Sequence, residues 1–137
     1  MSKKKKSKRF SKKLRVPAGG SFRIDAVDPD DTLGLKDKKQ ARKQLADVQD
    51  RLADLQEVLY AQSKHAVLVV LQAMDSGGKD STIRHVFGPL NPQGVKVTSF
   101  KKPHAEELSH DYLWRIHRAV PPKGMIGIFN RSHYEDV

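Results

Sequence analysis

Ala66-Val67-Leu68-Val69-Val70-Leu71-Gln72-Ala73-Met74-Asp75-Ser76-Gly77-Gly78-Lys79-Asp80-Ser81-Thr82 is the stretch that decides the fold. Its first six residues are apolar, continuous and rich in β-branched side chains. That suits a central strand of a parallel sheet, buried on both faces. A glycine-containing loop follows, and then a helix from Ser81 to Phe87. The loop matches the phosphate-loop template G-x-x-x-x-G-K-[ST] at Gly78-Lys79, with Ala73 in place of the first glycine and Asp80 in place of the hydroxyl residue.

The residue types follow from what an anion needs. Gly77 and Gly78 allow backbone turns that a side chain would block, so that several N–H groups converge on phosphate oxygens. The helix opening behind them directs amides and a dipole at the same point. Lys79 supplies a mobile positive charge, and Ser76, Ser81 and Thr82 supply hydroxyl donors. Asp75 is a carboxylate inside an anion site, which is unfavourable unless it has a task. It could hold Mg²⁺, or orient or deprotonate an acceptor. No G-x-G-x-x-G follows the strand, which counts against a dinucleotide site.

Downstream, Val95–Phe100 alternates like a second strand. Pro103 then opens a helix whose apolar face runs through Leu108, Tyr112, Leu113, Ile116 and Val120. Pro121, Pro122 and Gly124 stop it, and Met125–Phe129 reads as a third strand. Strand, helix, strand, helix, strand is an α/β pattern with a parallel sheet, whose ligands gather at the carboxyl ends of the strands. Lys101 and Lys102 follow the second strand; Asn130, Arg131, Glu135 and Asp136 follow the third. The cations can neutralise a row of phosphates, and Glu135 and Asp136 can bind Mg²⁺ or the acceptor. Asn130 stands where phosphate-loop enzymes usually place an aspartate, so magnesium must rely more on Asp75, Glu135 or Asp136, or on water bridged by Asn130. His104 and His133 read as loop hydrogen-bonders, and Tyr112, Trp114 and His117 as helix-face or core residues. Arg115 and Arg118 are open to substrate or to solvent.

Upstream, Ala41, Leu45, Val48, Leu52, Leu55 and Leu59 fall at alternating spacings of four and three within a Leu35–Tyr60 helix. This stripe covers a sheet or meets a second copy of the chain. Residues 16–34 hold Pro17, Gly19, Gly20 and Asp28-Pro29-Asp30-Asp31, and read as an irregular arm pinned by Phe22 and Ile24. Residues 1–15 form a basic, low-complexity tail, expected to be disordered. Of the 26 Lys and Arg, nine lie in that tail, and the rest of the chain sets 17 of them against 16 acidic residues. The body is therefore near neutral, which disfavours a nucleic-acid binder. Cysteine is absent, which removes disulfides and thiolate metal sites together. No apolar run is long enough to span a membrane, and a cytoplasmic location is expected.

Four ordered segments resemble the polyphosphate kinase 2 family. They are Leu68–Asp75 running into Gly77-Gly78-Lys79-Asp80, Ser99–Pro103, Asp111–His117 and Ile128–Val137. Asp28-Pro29-Asp30-Asp31-Thr32 and the helix to Tyr60 also fit. The resemblance covers about residues 22–137. It implies a thymidylate-kinase-like, P-loop kinase-like parallel sheet with flanking helices, in residues 35–137. It also implies Mg²⁺ dependence and phosphoryl transfer between inorganic polyphosphate and AMP, ADP or ATP. Carried over by position, Asp75 is the catalytic or metal carboxylate, and Lys79 is the phosphate-binding lysine. Arg131, Glu135 and Asp136 lie on the acceptor side. Asp30-Asp31-Thr32 and Glu135 are most similar to members that phosphorylate AMP as well as ADP. The family's chain continues into further strands and an arginine-bearing lid, so this stretch is expected to be an N-terminal half, with its sheet truncated after the third strand and little turnover of its own. An edge or apolar face left open on that third strand is also expected. Two other functions remain on sequence grounds: a nucleotide kinase or ATPase with ATP as the donor, and a non-enzymatic polyanion binder led by the tail.

Overall fold

The computed structural model describes residues 10, 12–16 and 18–136, so most of the tail expected to be disordered lies outside the described residues. The chain forms two compact units, residues 1–42 and 43–137. In the first unit, the arm is built from short turns. Asp28 Oδ1 accepts the Asp30 N–H at 2.9 Å, and Asp31 Oδ1 accepts the Leu33 N–H at 2.7 Å. Lys13 Nζ donates to Asp31 at 2.9 Å and holds that carboxyl below the usual carboxylate range. Phe22 and Ile24 do not pin the arm: both are exposed.

Helix α1 spans Lys38–Gln62. It starts at Lys38 because Asp37 Oδ1 accepts the Gln40 N–H at 2.7 Å, satisfying one of the first-turn amides. It ends where Ser63 takes a left-handed φ of 47° and donates its N–H to the Leu59 carbonyl. Leu52, Ala53 and Leu59 pack on the sheet as the stripe requires. Val48 and Leu55, however, are exposed, and Gln56, the residue after Leu55, is buried at 3 % exposure. The packed face is rotated toward Gln56 because its side-chain amide has partners there. Gln56 Nε2 donates to the Asn91 carbonyl at 2.7 Å, and its Oε1 accepts the Asn91 N–H at 2.9 Å.

The sheet consists of β1 (Val67–Leu71), β2 (Val95–Ser99) and β3 (Ile126–Asn130), all parallel, in the spatial order β1-β3-β2. This corrects two expectations. The inner strand is β3, not β1, and it is β1 and β2 that leave apolar residues in the open: Val67, Leu68, Val70 and Val97. An apolar run identifies a strand, but not its neighbours. The crossover after α4 (Trp114–Ala119) returns the chain between the first two strands.

β3 is covered on both faces. Ile126 and Ile128 face the cluster with Leu90, Leu52, Leu59, Ile83 and Phe87. Phe129 points the other way, to Phe100, Ala119 and Ile116, with the two rings edge to face at 4.8 Å. Pro121 lies directly on Gly127, where a Cβ would meet its Cγ at 2.7 Å.

The segment after β2 is not one helix. α3 covers only Ala105–Leu108, and α4 restarts at Trp114. His104, rather than Pro103, is the residue before the first turn, and its N–H donates to the Glu107 carboxylate at 3.2 Å. Ser109 Oγ donates back to the Glu106 carbonyl at 2.8 Å, and Asp111 accepts the Leu113 N–H at 2.9 Å, so side chains divert the backbone between the two helices. No helix among the described residues is long and apolar enough to cross a membrane.

Candidate phosphate-binding site

The loop after β1 leads into α2 (Lys79–Thr82), which continues through a wider π-type turn at Ile83–Phe87. Gly78 precedes the helix with φ +78°, the left-handed region that its missing Cβ makes accessible. Gly77 is required for a different reason: a Cβ there would meet the Met74 carbonyl at 2.8 Å and Ala73 Cβ at 2.9 Å. Ser76 also takes a positive φ of 63°. A non-glycine residue held in this region stores strain that the surroundings must sustain, and such residues concentrate at functional sites.

Lys79 folds back over its own loop. Its Nζ donates to Ala73 O at 2.6 Å and to Met74 O at 2.9 Å. The ammonium is thus held at the mouth of the loop by neutral carbonyls, which an incoming phosphate oxygen can replace with a charge-assisted bond. Ser81 and Thr82 follow in the first turn and are exposed.

Two side-chain pairs tie this loop to the end of β3. Arg131 Nη2 donates to Asp75 Oδ1 in an ion pair. Asn130 Nδ2 donates to Asp80 Oδ1 at 2.7 Å. The backbone joins them, since the Arg131 N–H donates to the Leu71 carbonyl at 2.9 Å and extends the β1–β3 ladder by one bond. Arg131 has φ 70°, a second non-glycine left-handed residue in the site. Asn130 Oδ1 is buried and has no hydrogen-bond partner, although its amide is anchored through the other atom. A buried carbonyl without a donor costs about 1–3 kcal/mol, so this point of the site is complementary to a donor.

Of the residues singled out in the sequence, Asp75, Ser76, Gly77, Gly78, Lys79, Asp80, Asn130 and Arg131 are brought together here. Lys101 and Lys102 are exposed at the end of β2, on the far side of β3. Glu135 and Asp136 lie in a 3₁₀ turn, His133–Asp136. Among the described residues no group of three or more His, Asp or Glu is set to hold a metal.

Ser132 and its partner Gln72 were missed in the sequence. Ser132 is buried, donates its hydroxyl to Gln72 Oε1 at 3.0 Å and accepts the Tyr134 N–H at 3.2 Å, which fastens the strand ends to each other. A serine two residues ahead of the amide it caps is a turn signal that was there to be seen. Arg115 is buried rather than facing solvent. It donates to the Lys101 carbonyl at 2.7 Å and lies over the Phe100 ring.

A parallel sheet whose first strand opens through Gly-Gly-Lys into a helix, with an arginine and an asparagine closing the rim from the neighbouring strand, defines a phosphate-loop α/β protein. The family model of polyphosphate kinase 2 matches residues 35–137, and the chain belongs to that family. It is 58% identical over 127 residues to a Meiothermus ruber protein named AMP/ADP-polyphosphate phosphotransferase, covering 92% of this chain and 48% of that one. It is 59% identical over 88 residues to a Rhodopseudomonas palustris ADP-polyphosphate phosphotransferase, covering 64% of this chain and 30% of that one. The crystal structure of polyphosphate kinase 2 from Arthrobacter aurescens superposes with a TM-score of 0.82 at 48% identity, over 93% of this chain and 46% of that one. The chain thus spans about half the length, or less, of the relatives it matches.

Proposed function

We propose that this chain carries the phosphate-binding part of a Mg²⁺-dependent phosphotransferase. The enzyme moves phosphoryl groups reversibly between inorganic polyphosphate and nucleoside mono- or diphosphates, AMP and ADP becoming ADP and ATP. The observation that carries the reading is Lys79, resting on the carbonyls of its own loop and flanked by the Asp75–Arg131 pair. Phosphates entering the loop exchange with those carbonyls for Lys79 and draw Arg131 from the carboxylate. Both cations then face the charge that spreads over the transferring group.

The oxygen-rich donor set suits magnesium. Asp75 and Asp80 would hold it, with the unpartnered Asn130 Oδ1 accepting from its water shell. When bound, the ion neutralises phosphate charge. Asp136, the other aspartate expected to serve the metal, lies in the 3₁₀ turn that follows β3. The names of the relatives support polyphosphate as donor and AMP or ADP as acceptor. We place the enzyme in the cytoplasm, where nucleotides are abundant. Val48, Leu55 and Val58, exposed along α1, offer a seam for a second copy of the chain.

The test is transfer by the protein at the full length of its relatives, supplied with Mg²⁺, AMP or ADP, and either polyphosphate or ATP, with the nucleotides resolved by chromatography. Product from polyphosphate is expected, and Lys79→Ala is expected to remove it while the fold persists. Product from ATP alone would make this an ordinary nucleotide kinase. The 137 residues by themselves are expected to bind phosphate and turn over little; full specific activity from them would overturn that.

A further inference from the structure

We propose that Ser132 is a positioning residue: together with Gln72 it holds Arg131 in the left-handed backbone conformation from which the guanidinium reaches the phosphate loop. The inference rests on the phosphotransferase reading for the reaction that Arg131 serves, and adds to it the group that sets Arg131 in place. Ser132 lies between Arg131 and the 3₁₀ turn His133–Asp136 and is 3% exposed.

Arg131 needs to be held. Its φ of 70° is left-handed, which costs a residue with a Cβ about 1–2 kcal/mol. Such a conformation persists only where the surroundings over-determine it. Its effect is visible in the two side chains at the end of β3. In an extended strand, successive side chains leave on opposite faces. Asn130 and Arg131 are successive, yet both bond to the phosphate loop and its helix, Asn130 to Asp80 and Arg131 to Asp75. The left-handed residue breaks the alternation, so that both side chains serve one site. A glycine would take this φ without strain but would bring no cation.

Two bonds in succession fix the break. The Arg131 N–H donates to the Leu71 carbonyl at 2.9 Å, and Ser132 Oγ donates to Gln72 Oε1 at 3.0 Å. Consecutive residues leaving β3 are thus tied to consecutive residues leaving β1, first through the backbone and then through side chains. A third bond, from the Tyr134 N–H to Ser132 Oγ at 3.2 Å, closes the turn on the far side of Ser132. Arg131 has its own amide fixed on one side and the side chain of the next residue fixed on the other, which leaves its backbone little room to relax.

The same bonds argue against a direct contact with substrate. An ionised phosphate oxygen only accepts hydrogen bonds, so a serine must donate in order to bind it. A hydroxyl has one hydrogen, and that of Ser132 is given to Gln72. The side chain is also buried, unlike the exposed hydroxyls of Ser76, Ser81 and Thr82. Ser132 therefore acts through Arg131.

The test uses the protein at the full length of its relatives. Tripolyphosphate affinity is measured by calorimetry, and phosphoryl transfer from polyphosphate by chromatography of the nucleotides. Arg131→Ala is expected to weaken tripolyphosphate about tenfold, the loss of one charge-assisted contact, and Ser132→Ala to come close to the same loss. On the Arg131→Ala background, Ser132→Ala is expected to add less than about twofold, whereas on the Lys79→Ala background its loss should return in full. Ser132→Thr keeps the hydroxyl and is expected to bind within a few-fold of the parent. Gln72→Met removes the acceptor at an exposed position, so the core is kept, and it is expected to repeat the Ser132→Ala pattern whether or not that variant folds. A serine that only supports the fold would show the same loss on all three backgrounds. That result, or parental affinity in both Ser132→Ala and Gln72→Met, would overturn the assignment. If the parent transfers nothing from polyphosphate while the dependence on Arg131 holds, the phosphotransferase reading fails and the positioning of Arg131 stands.

Discussion

Asn130 and Asp80 are joined by a 2.7 Å hydrogen bond that runs from the end of the inner strand to the first turn of the helix behind the phosphate loop. The direction of that bond is settled by chemistry. The carboxylate can only accept, so the amide must donate, and its carbonyl oxygen is turned toward the place where it has no partner. Asn130→Asp would bring two carboxylates to that distance and one of them would have to protonate or withdraw. The variant is expected to bind tripolyphosphate at least tenfold more weakly. The exchange Asp80→Asn with Asn130→Asp restores a donor opposite an acceptor and is expected to recover most of the loss. Calorimetric titration of the two single variants and the double variant decides it, and additive losses would sever the pairing from the function.

Asp75 and Arg131 answer a different question. Asp75 is 85% exposed, so the ion pair contributes little to stability, about 0–1 kcal/mol. Its effect lies in what it withholds from an anion. Asp75→Asn is expected to leave the melting temperature within a degree or two. It should tighten tripolyphosphate several-fold in the absence of Mg²⁺, because a carboxylate that repels the anion and competes with it for Arg131 is gone. The gain in affinity that Mg²⁺ gives the parent should disappear. Weaker binding without the metal would show that Asp75 has another role.

The two loop glycines should fail in different ways. At Gly78 there is open space around a Cβ but φ is +78°, so Gly78→Ala costs about 1 kcal/mol of backbone strain. At Gly77 the obstacle is contact. A Cβ would press on the Met74 carbonyl, which also accepts from Lys79 Nζ at 2.9 Å. Gly77→Ala is therefore expected to move Lys79 and weaken tripolyphosphate by tenfold or more, against a few-fold for Gly78→Ala. Chemical denaturation and calorimetry on both variants separate strain from displacement.

What was legible in the sequence is what is local. The run Val67–Leu71, the pair Gly77-Gly78 and Lys79 dictate strand, turn and helix start within a dozen residues, so the phosphate loop could be placed without knowing the rest. Arg131 and Asn130 could be placed on the same rim because a parallel sheet puts its strand ends together. Strand order was not legible, since nothing in Val67–Leu71 records that β3 will pair with it on one side and with β2 on the other. The break before Trp114 was hidden because Leu108, Tyr112, Ile116 and Val120 keep a helical spacing of four through it, while Ser109 and Asp111 turn the backbone by hydrogen bonds that apolar periodicity does not register. Tyr112 was misplaced for the same reason.

The rotation of α1 has the same origin and can be tested directly. Leu55 is 60% exposed and its neighbour Gln56 is 3% exposed, the reverse of what hydrophobicity asks. The burial is sustained by two bonds to the Asn91 backbone and by Gly94, where a Cβ would come within 2.4 Å of Gln56 Nε2. Gln56→Leu keeps the volume, but leaves the Asn91 N–H and carbonyl without their partner, at about 1–3 kcal/mol for each group that stays dry. Leu55→Gln should cost less than 0.5 kcal/mol, as an exposed substitution. Urea denaturation of residues 1–137 and these variants reads both. The expectation is a large loss at position 56 and almost none at 55, and equal losses at the two positions would mean that the helix packs on its apolar stripe after all.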